Sequence, residues 1–488
     1  MKKLKRLGLL TAMFIISWIS FFNPLTAKAD DALQAVKDKD TLVVGLSADF
    51  PPYEFTIKEN GQTKYVGMDI DIIKQFAKDI GVKNVEIKNM NFDSLLVALE
   101  THKVDCVISG MNPSEERRKS VDFSDIYYTG KQYMVINASD KDKYKSYKDF
   151  ANTSVGAQSG SIQYNIIKKN ITNPDIKGLK KLNDLIIALQ THKVVGVAMD
   201  EPTAKAYAAN NKGLLAIDPK WKDAGETSGT AIAFPKGSTS LVQAANQTIA
   251  KIKKEKLIEK KYLPQAGKYM SQNSENKTMW HYWSYFAKGI QYTLLITVVS
   301  VFFGFIIGTF LALMRLSNSK ILHGFAVAYI EFVRGTPLMV QVMFIYFGVG
   351  ALIQSLPALL AGIIATSLNS GAYVAEVIRS GIEAINVGQT EAARSLGMSQ
   401  NQTYRYVIIP QALKNIWPAL GNEFITLIKE SSIVSIIGVS DLMYQSQLVQ
   451  SATYRGVAPL FVTMLIYFVM TFGLSKLLGL LERKMKHD

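Results

Sequence analysis

From about residue 287 onward the sequence is dominated by long apolar runs, at about 289–313, 321–350, 356–379, 410–440 and 456–481. A helix needs about 20 apolar residues to cross a hydrocarbon core, where every backbone N–H and C=O must be satisfied internally. Runs of this length confine the second half to membrane-spanning helices. Two runs exceed one crossing and are interrupted by proline, at Pro337 in RGTP and Pro418 in NIWP. They read as kinked spans or as a span plus a partial one. Five crossings is the expectation, with six as the alternative.

Before that half the pattern changes. TLVVGLS and NVEIKNM read as short strands, VGMDIDIIKQFAKDIG and FDSLLVALETHK as helices, and VDCVISG as the next strand. Strand alternating with helix predicts a parallel sheet with helices on its faces. FDSLLVALETHKVDCVISG then returns as LNDLIIALQTHKVVGVAMD. Two lobes of one design explain the repeat, with the two copies ending on Gly110 and Asp200 across a cleft. The chain is therefore expected to be multi-domain: a two-lobed α/β domain over 30–265, a polar linker over 266–288, and an all-α membrane domain over 289–488. Lys2, Lys3, Lys5 and Arg6, an apolar stretch, and Ala27-Lys28-Ala29 form a signal peptide over 1–29, with an uncleaved anchor as the alternative.

Exporting the first domain fixes orientation. Arg315, Lys320, Arg379, Arg394, Arg405, Lys414 and the basic C-terminus then fall inside, in agreement with the positive-inside rule. The formal charge of +15 fits such loops. It forms no basic stripe interleaved with aromatics, so no nucleic-acid partner is expected. A single cysteine, Cys106, excludes an internal disulfide and a multi-cysteine metal site. No metal ligands are assigned, and no GxxxxGK[ST] phosphate loop occurs.

Candidate chemistry gathers in SGMNPSEERRKSVDFSDIYY, where Ser114 can cap a helix carrying Arg117. A guanidinium fork suits a carboxylate, and Asp200 of the other repeat suits an ammonium. A zwitterion bridging the cleft needs such a pair. Phe50, Tyr53 and Phe92 can sandwich a small side chain, while Phe55 reads as core. Of the charged residues in the spans, Glu331, Arg334, Glu376, Glu423 and Glu430 are expected to pair or face an interior. Asn369 and Glu423 are candidates for a translocation path.

LVVGLSADFPPYEF, YVGMDIDI, FDSLL, SGMNPSEERRKSVDFSDIYY and IAFPKGS together resemble the polar amino-acid-binding proteins of ABC importers. That resemblance implies a two-lobed, periplasmic-binding-protein-like fold. It implies that Arg117 holds the ligand α-carboxylate, that Asp200 takes the α-amino group, and that Gly110 and Asn112 add hydrogen bonds. Phe50 and Phe92 flank the ligand side chain, and Ser159, Gly160 and Ser161 form the second lobe's ligand loop. Ser47 stands where glutamine-binding members carry aspartate, and Gln158 where they carry lysine. Fewer formal charges favour a neutral polar ligand such as glutamine; Asp49 or Glu54 can still serve a basic one (arginine, lysine or histidine).

EAARSLGMSQNQTYRYVIIPQAL resembles the EAA loop of ABC importer permeases, with Glu391, Ala392, Ala393, Gly397 and Pro410 in the family's spacing. EFVRGTPLMVQ, NSGAYVAEVIRSGI and LIKESSIVSIIG are similar to the same branch. The resemblance implies a non-enzymatic importer subunit with no cofactor of its own. Two copies of a separate ATPase would use ATP and Mg, and a homodimer of this chain would enclose the path through the lipid. Its place would be the plasma membrane of a single-membrane, Gram-positive-type cell, with the binding domain outside and the EAA loop and C-terminus inside. An amino-acid-gated channel is the alternative of another class, disfavoured because both lobes precede the first span and no TVGYG-like filter appears.

Overall fold

The computed structural model describes residues 32–59, 62–222, 229–273, 278–350, 356–453 and 455–487. The expected signal peptide, 1–29, lies outside the described residues.

The first half folds into two lobes, each around a five-stranded sheet. In the first lobe the order is Asn84–Asn89, Thr41–Leu46, Cys106–Val107, Ala233–Pro235, Val121–Phe123. In the second it is Asp175–Leu179, Ser154–Gln158, Gly196–Asp200, Gln132–Asn137, Leu214–Ile217. Each sheet opens with a parallel trio in the order second, first, third, followed by an antiparallel strand. The antiparallel strands are exchanged in sequence. The first lobe's, Ala233–Pro235, follows the whole second lobe, while the second lobe's, Gln132–Asn137, comes directly after the first.

The repeated phrase has a local cause. Helices Leu95–Glu100 and Leu182–Gln190 both end on a histidine in the left-handed region, His102 at φ 52° and His192 at φ 57°. In both, the threonine hydroxyl returns to the helix, Thr101 to Val97 O and Thr191 to Ile187 O at 2.7 Å. Lys103 N and Lys193 N close onto Ala98 O and Ala188 O at 2.8 Å. Thr-His-Lys is thus a C-terminal stop that satisfies the last carbonyls before the third strand of each trio begins.

The flexible linker expected over 266–288 is corrected in its first part. Residues Leu263–Asn273 are helical, and Ala266 and Met270 pack into the second lobe's core with Tyr207 and Leu214. One-turn spacing of two apolar residues was hidden in a polar stretch. Residues 274–277 lie outside the described residues, and a turn at Met279–Tyr282 leads into the first membrane helix at Trp283.

Length and composition alone single out fewer helices than the five crossings expected. Among the described residues, three helices are long and apolar enough to cross a membrane: Met279–Arg315, Ala358–Glu383 and Val457–Leu480. A fourth crossing arises only if Lys320–Arg334 and Leu338–Val349 act together, and they meet at a 103° bend. Pro337 fixes that bend, and Gln341 Nε2 reaches back to Val333 O at 2.7 Å and Thr336 O at 3.1 Å, satisfying carbonyls the break frees. Helix Ile409–Glu430 has crossing length, but Lys414, Glu423, Lys429 and Glu430 leave it too polar to qualify on composition. Pro418 was expected to interrupt this segment; the helix continues through it.

Met279–Arg315 and Ala358–Glu383 form the tightest pair. Gly304 and Gly308, one turn apart, abut Ser370 and Val374, and Ser300 Oγ lies 2.6 Å from Thr366 Oγ1. At one end Glu376 draws in Arg315 at 2.8 Å, Arg334 at 3.9 Å and Arg379. The two halves of the chain share a core in which Leu95, Leu99 and Val104 of the first lobe pack with Val342, Tyr346 and Phe347 of the membrane half.

Candidate functional site

A small cavity of about 20 Å³ lies between the lobes, room for little more than a water molecule, so the lobes stand nearly closed on each other. Ser47, Phe50, Phe92, Gly110 and Asn112 line it from the first lobe. Gln158, Ser161 and Asp200 line it from the second. Arg117 is not part of that wall, nor are Tyr53, Ser159 and Gly160. The Arg117 guanidinium lies against Phe92, 5.4 Å from the ring centroid.

Local folding explains each position. Ser114 Oγ accepts from Arg117 N at 3.3 Å, starting helix Glu115–Ser120 immediately after the binding turn. Arg117 Nη1 donates to Asn112 O, and Nη2 donates across the cleft to Gly160 O, both at 2.7 Å. Burial lowers the guanidinium pKa to about 10, so it stays charged at neutral pH. Gly110 is demanded twice: its φ is +53°, and a Cβ there would meet Phe50 Cε1 at 2.4 Å. Asp69 Oδ2 anchors Gly110 N at 2.9 Å, and Ser109 Oγ bridges Ser47 N and the buried Glu54. Burial raises the Asp69 carboxyl to about 6.

Asp200 ends strand Gly196–Asp200. Its Oδ1 accepts from Gln132 Nε2 and, at 3.2 Å, from Gln163 Nε2. Its Oδ2 is buried with no hydrogen-bond partner, as is Ser161 Oγ. Burial pushes the Asp200 carboxyl up to about 7, against the pull of the two glutamines. The sequence reading did not assign Gln132 and Gln163, which orient this carboxylate; Gln163, in the first turn of the helix beginning beside Ser161, was the findable one. Asp49, named earlier only as a possible partner for a basic ligand, also lines the cavity. It accepts from Ser47 Oγ at 2.8 Å and, across the cleft, from Leu182 N at 3.2 Å. Tyr53 stacks on Phe50 at 5.0 Å, while Phe55 is fully buried in core.

In the membrane half, the 391–410 segment is a compact knob. Asn386 caps helix Val387–Ser395, Gly397 turns the chain at φ +82°, and Ser399 and Gln402 form a capping box. The helix then widens over Tyr404–Ile408 and runs on, with Pro410 in the first turn of Ile409–Glu430. Glu391 and Ala392 are exposed and Ala393 is buried. Val387, Leu396 and Tyr406 stand 70 %, 84 % and 63 % exposed. Asn369 is buried and donates to Gln341 Oε1 at 3.1 Å, while Glu423 is half-buried on the neighbouring helix.

Residues 42–265 match the bacterial extracellular solute-binding proteins, family 3, and residues 300–487 match the binding-protein-dependent transport system inner membrane component. The membrane half is 42 % identical over 202 residues to the "Putative glutamine transport system permease protein GlnP" of Rickettsia bellii, covering 41 % of this chain and 93 % of that one. The chain belongs to the amino-acid ABC importer permeases. It carries its solute-binding domain fused ahead of the membrane domain. The importer is equally similar to the arginine transport system permease protein ArtQ of Bacillus subtilis, 42 % identical across 41 % of this chain and 92 % of that one. A solved amino-acid ABC transporter substrate-binding protein from Streptococcus pneumoniae, bound to L-arginine, is 36 % identical over 48 % of the importer and 98 % of its own chain, with a TM-score of 0.46. The importer is thus a multi-pass membrane transport protein for amino acids, not an enzyme.

Proposed function

We propose that the importer captures a free polar L-amino acid outside the cell, with glutamine as its substrate. The carrying observation is the charged pair on opposite lobes: Arg117 for the α-carboxylate and Asp200, with its unpartnered Oδ2, for the α-ammonium. A buried polar atom left without a partner costs about 1–3 kcal/mol, which an arriving ammonium recovers. Phe50 and Phe92 flank the ligand's aliphatic carbons. Ser47, Gln158 and Asp49 supply donors and acceptors for a side-chain carboxamide. The glutamine-named relative supports the same reading.

One observation favours a basic ligand instead. Asp49 lines the cavity, and no ion pair is formed by it among the described residues. Calorimetry on the full-length protein in nanodiscs separates the two. Glutamine is expected to bind at least about tenfold more tightly than arginine, lysine or histidine, which is about 1.4 kcal/mol. The reverse order would move the assignment to a basic amino acid.

Asp200 gives binding a pH dependence. The ligand ammonium binds the ionised carboxylate, and the unliganded carboxyl titrates at about 7. Affinity is therefore full above that pH and falls as protons compete below it. Between pH 8 and pH 6 the binding constant is expected to drop about tenfold. Asp200→Asn, weaker throughout, is expected to lose that slope; a wild-type affinity flat across this range would count against Asp200 as the ammonium site.

In the membrane half we assign the knob at Glu391–Pro410 to docking a separate ATPase, two copies serving a homodimer of this chain. The exposed apolar side chains of Val387, Leu396 and Tyr406 support a protein-covered surface. In this reading ATP and Mg act in the partner, the knob and C-terminus face the cytoplasm, and Asn369 and Glu423 border the path. A tethered binding domain suits a Gram-positive-type cell, where a free one would diffuse away.

A further inference from the structure

Two carboxyl side chains lie behind the ligand cavity and form no part of its wall. Glu54 begins strand Glu54–Glu59, and Asp69 lies in the first turn of helix Met68–Asp79. Backbone bonds set them side by side: Met68 N donates to Pro52 O at 2.9 Å, and Asp69 N donates to Tyr53 O at 2.8 Å. A Cβ at Gly67 would meet Tyr53 O at 2.2 Å, so glycine permits this close approach. Both carboxyls are fully buried, at 0 % exposure.

Each carboxyl holds one of two consecutive residues of the binding turn. Glu54 Oε1 accepts from Ser109 Oγ, which in turn accepts from Ser47 N at 3.1 Å. Asp69 Oδ2 accepts from Gly110 N at 2.9 Å. Both Asp69 oxygens also accept from the Tyr127 hydroxyl at 2.9 Å. Tyr127 leads into Tyr128–Thr129, which pairs with Gly229–Thr230 where the chain passes between the lobes. Asn112 Nδ2 donates to Gly229 O at 2.9 Å, so turn and crossover are tied at two points.

A fully ionised pair does not fit this setting. Glu54 Oε2 is buried and has no donor to bond. Asp69, as an anion, is an acceptor only, and Asp49, the other charge acting on Glu54, is also acidic. Two negative charges in contact away from water repel, and desolvation adds to the cost. One proton removes both faults: it gives Oε2 a hydrogen to donate to Asp69, and it cancels a charge. Burial raises both carboxyls, Glu54 well above the usual range and Asp69 to about 6, so at neutral pH the proton resides on Glu54. The start of helix Met68–Asp79 favours the remaining charge on Asp69.

We propose that Glu54 and Asp69 share one proton and act as a positioning pair, with Glu54 as donor, holding Ser109 and Gly110 where the amino acid meets them. Glu54, a candidate partner for a basic ligand on sequence, serves the ligand through this turn and not by contact. The proposal rests on the reading that the cleft binds an amino acid.

The test uses the full-length protein in a maltoside detergent, which has no ester carbonyl to mask the infrared stretch of a protonated carboxyl. At about pH 8 the wild type is expected to show one such band that Glu54→Gln lacks, the other acids cancelling in the difference. Calorimetry on the same samples uses L-glutamine, with L-arginine in a parallel arm. Glutamine at position 54 mimics the protonated acid: its carbonyl accepts from Ser109 and its amide donates to Asp69. Its affinity is expected within about threefold of wild type, with the Asp200 slope between pH 8 and pH 6 retained. Glu54→Ala loses both bonds and is expected to bind about tenfold or more weakly.

If either amino acid binds the wild type and the band is absent, the shared proton is overturned while the binding site stands. An affinity that rises with sodium in place of the band overturns it too, because a cation then joins the carboxylates. A loss of more than about tenfold in the glutamine variant shows that a charge is needed there and also overturns it. The band and the glutamine variant decide even if the alanine variant does not fold; a folded alanine variant with wild-type affinity overturns the positioning role. If neither amino acid binds the wild type, the proposed function fails and the positioning role with it.

Discussion

Arg117→Ala in the full-length importer is expected to weaken amino-acid binding by about 10²–10⁴-fold, the value of two charge-assisted bonds of roughly 1.5–3 kcal/mol each. The guanidinium is 8 % exposed and lies between Asn112 O and Gly160 O, so no water replaces it cheaply for an incoming carboxylate. The loss is doubled in kind, because Nη2 is also a bridge from the first lobe to the second. Folding should survive: Ser114 caps this helix through the backbone N–H of residue 117, which alanine retains. Arg117→Lys keeps the charge but loses the planar fork and is expected to fall between wild type and alanine. Calorimetry decides it, with the melting temperature as the folding control. Near-native affinity in the alanine variant would remove Arg117 from the site and the zwitterion reading with it.

Gly397→Val is expected to reduce uptake by about 20-fold or more while leaving the amino-acid dissociation constant within about twofold. The glycine sits at φ +82° in the knob, a conformation costing a β-branched residue about 1–3 kcal/mol. A Cβ there meets nothing within 4 Å, so the penalty is one of backbone alone. The cheapest relief is to re-aim the two helices it joins, carrying the exposed Leu396 with them and straining the Arg394 Nη1 to Met398 O bond of 2.9 Å. Asparagine tolerates the left-handed region, so Gly397→Asn is expected to retain most uptake. Transport into vesicles separates the variants. Full uptake by the valine form would show that the knob's shape does not matter to coupling.

What could be read in advance depended on how local the signal was. The repeat around Ala98 and Ala188 announced twin lobes because its stop, left-handed histidine included, is set by neighbouring residues. Eight proposed ligand-site residues line one cavity because strand ends and short turns carry them. Gln132 escaped notice because its role lies in the fold: it reaches Asp200 from the strand exchanged between lobes. The helix through Ala266 and Met270 escaped because a polar stretch masked two buried positions. The apolar runs did not disclose the 103° bend after Arg334, which is a matter of geometry, whereas the polar residues of Ile409–Glu430 were in plain view.

The exchanged strands bear on how the chain is made. Synthesis proceeds from the N-terminus, and the second sheet is assembled from a continuous stretch between Gln132 and Ile217. The first sheet lacks its interior member, Ala233–Pro235, until that stretch has already emerged. The lobe nearest the start of the protein is therefore the last of the two to be finished. Until then its Cys106–Val107 and Val121–Phe123 edges wait unpaired, the stage at which the chain is most open to wrong strand pairing.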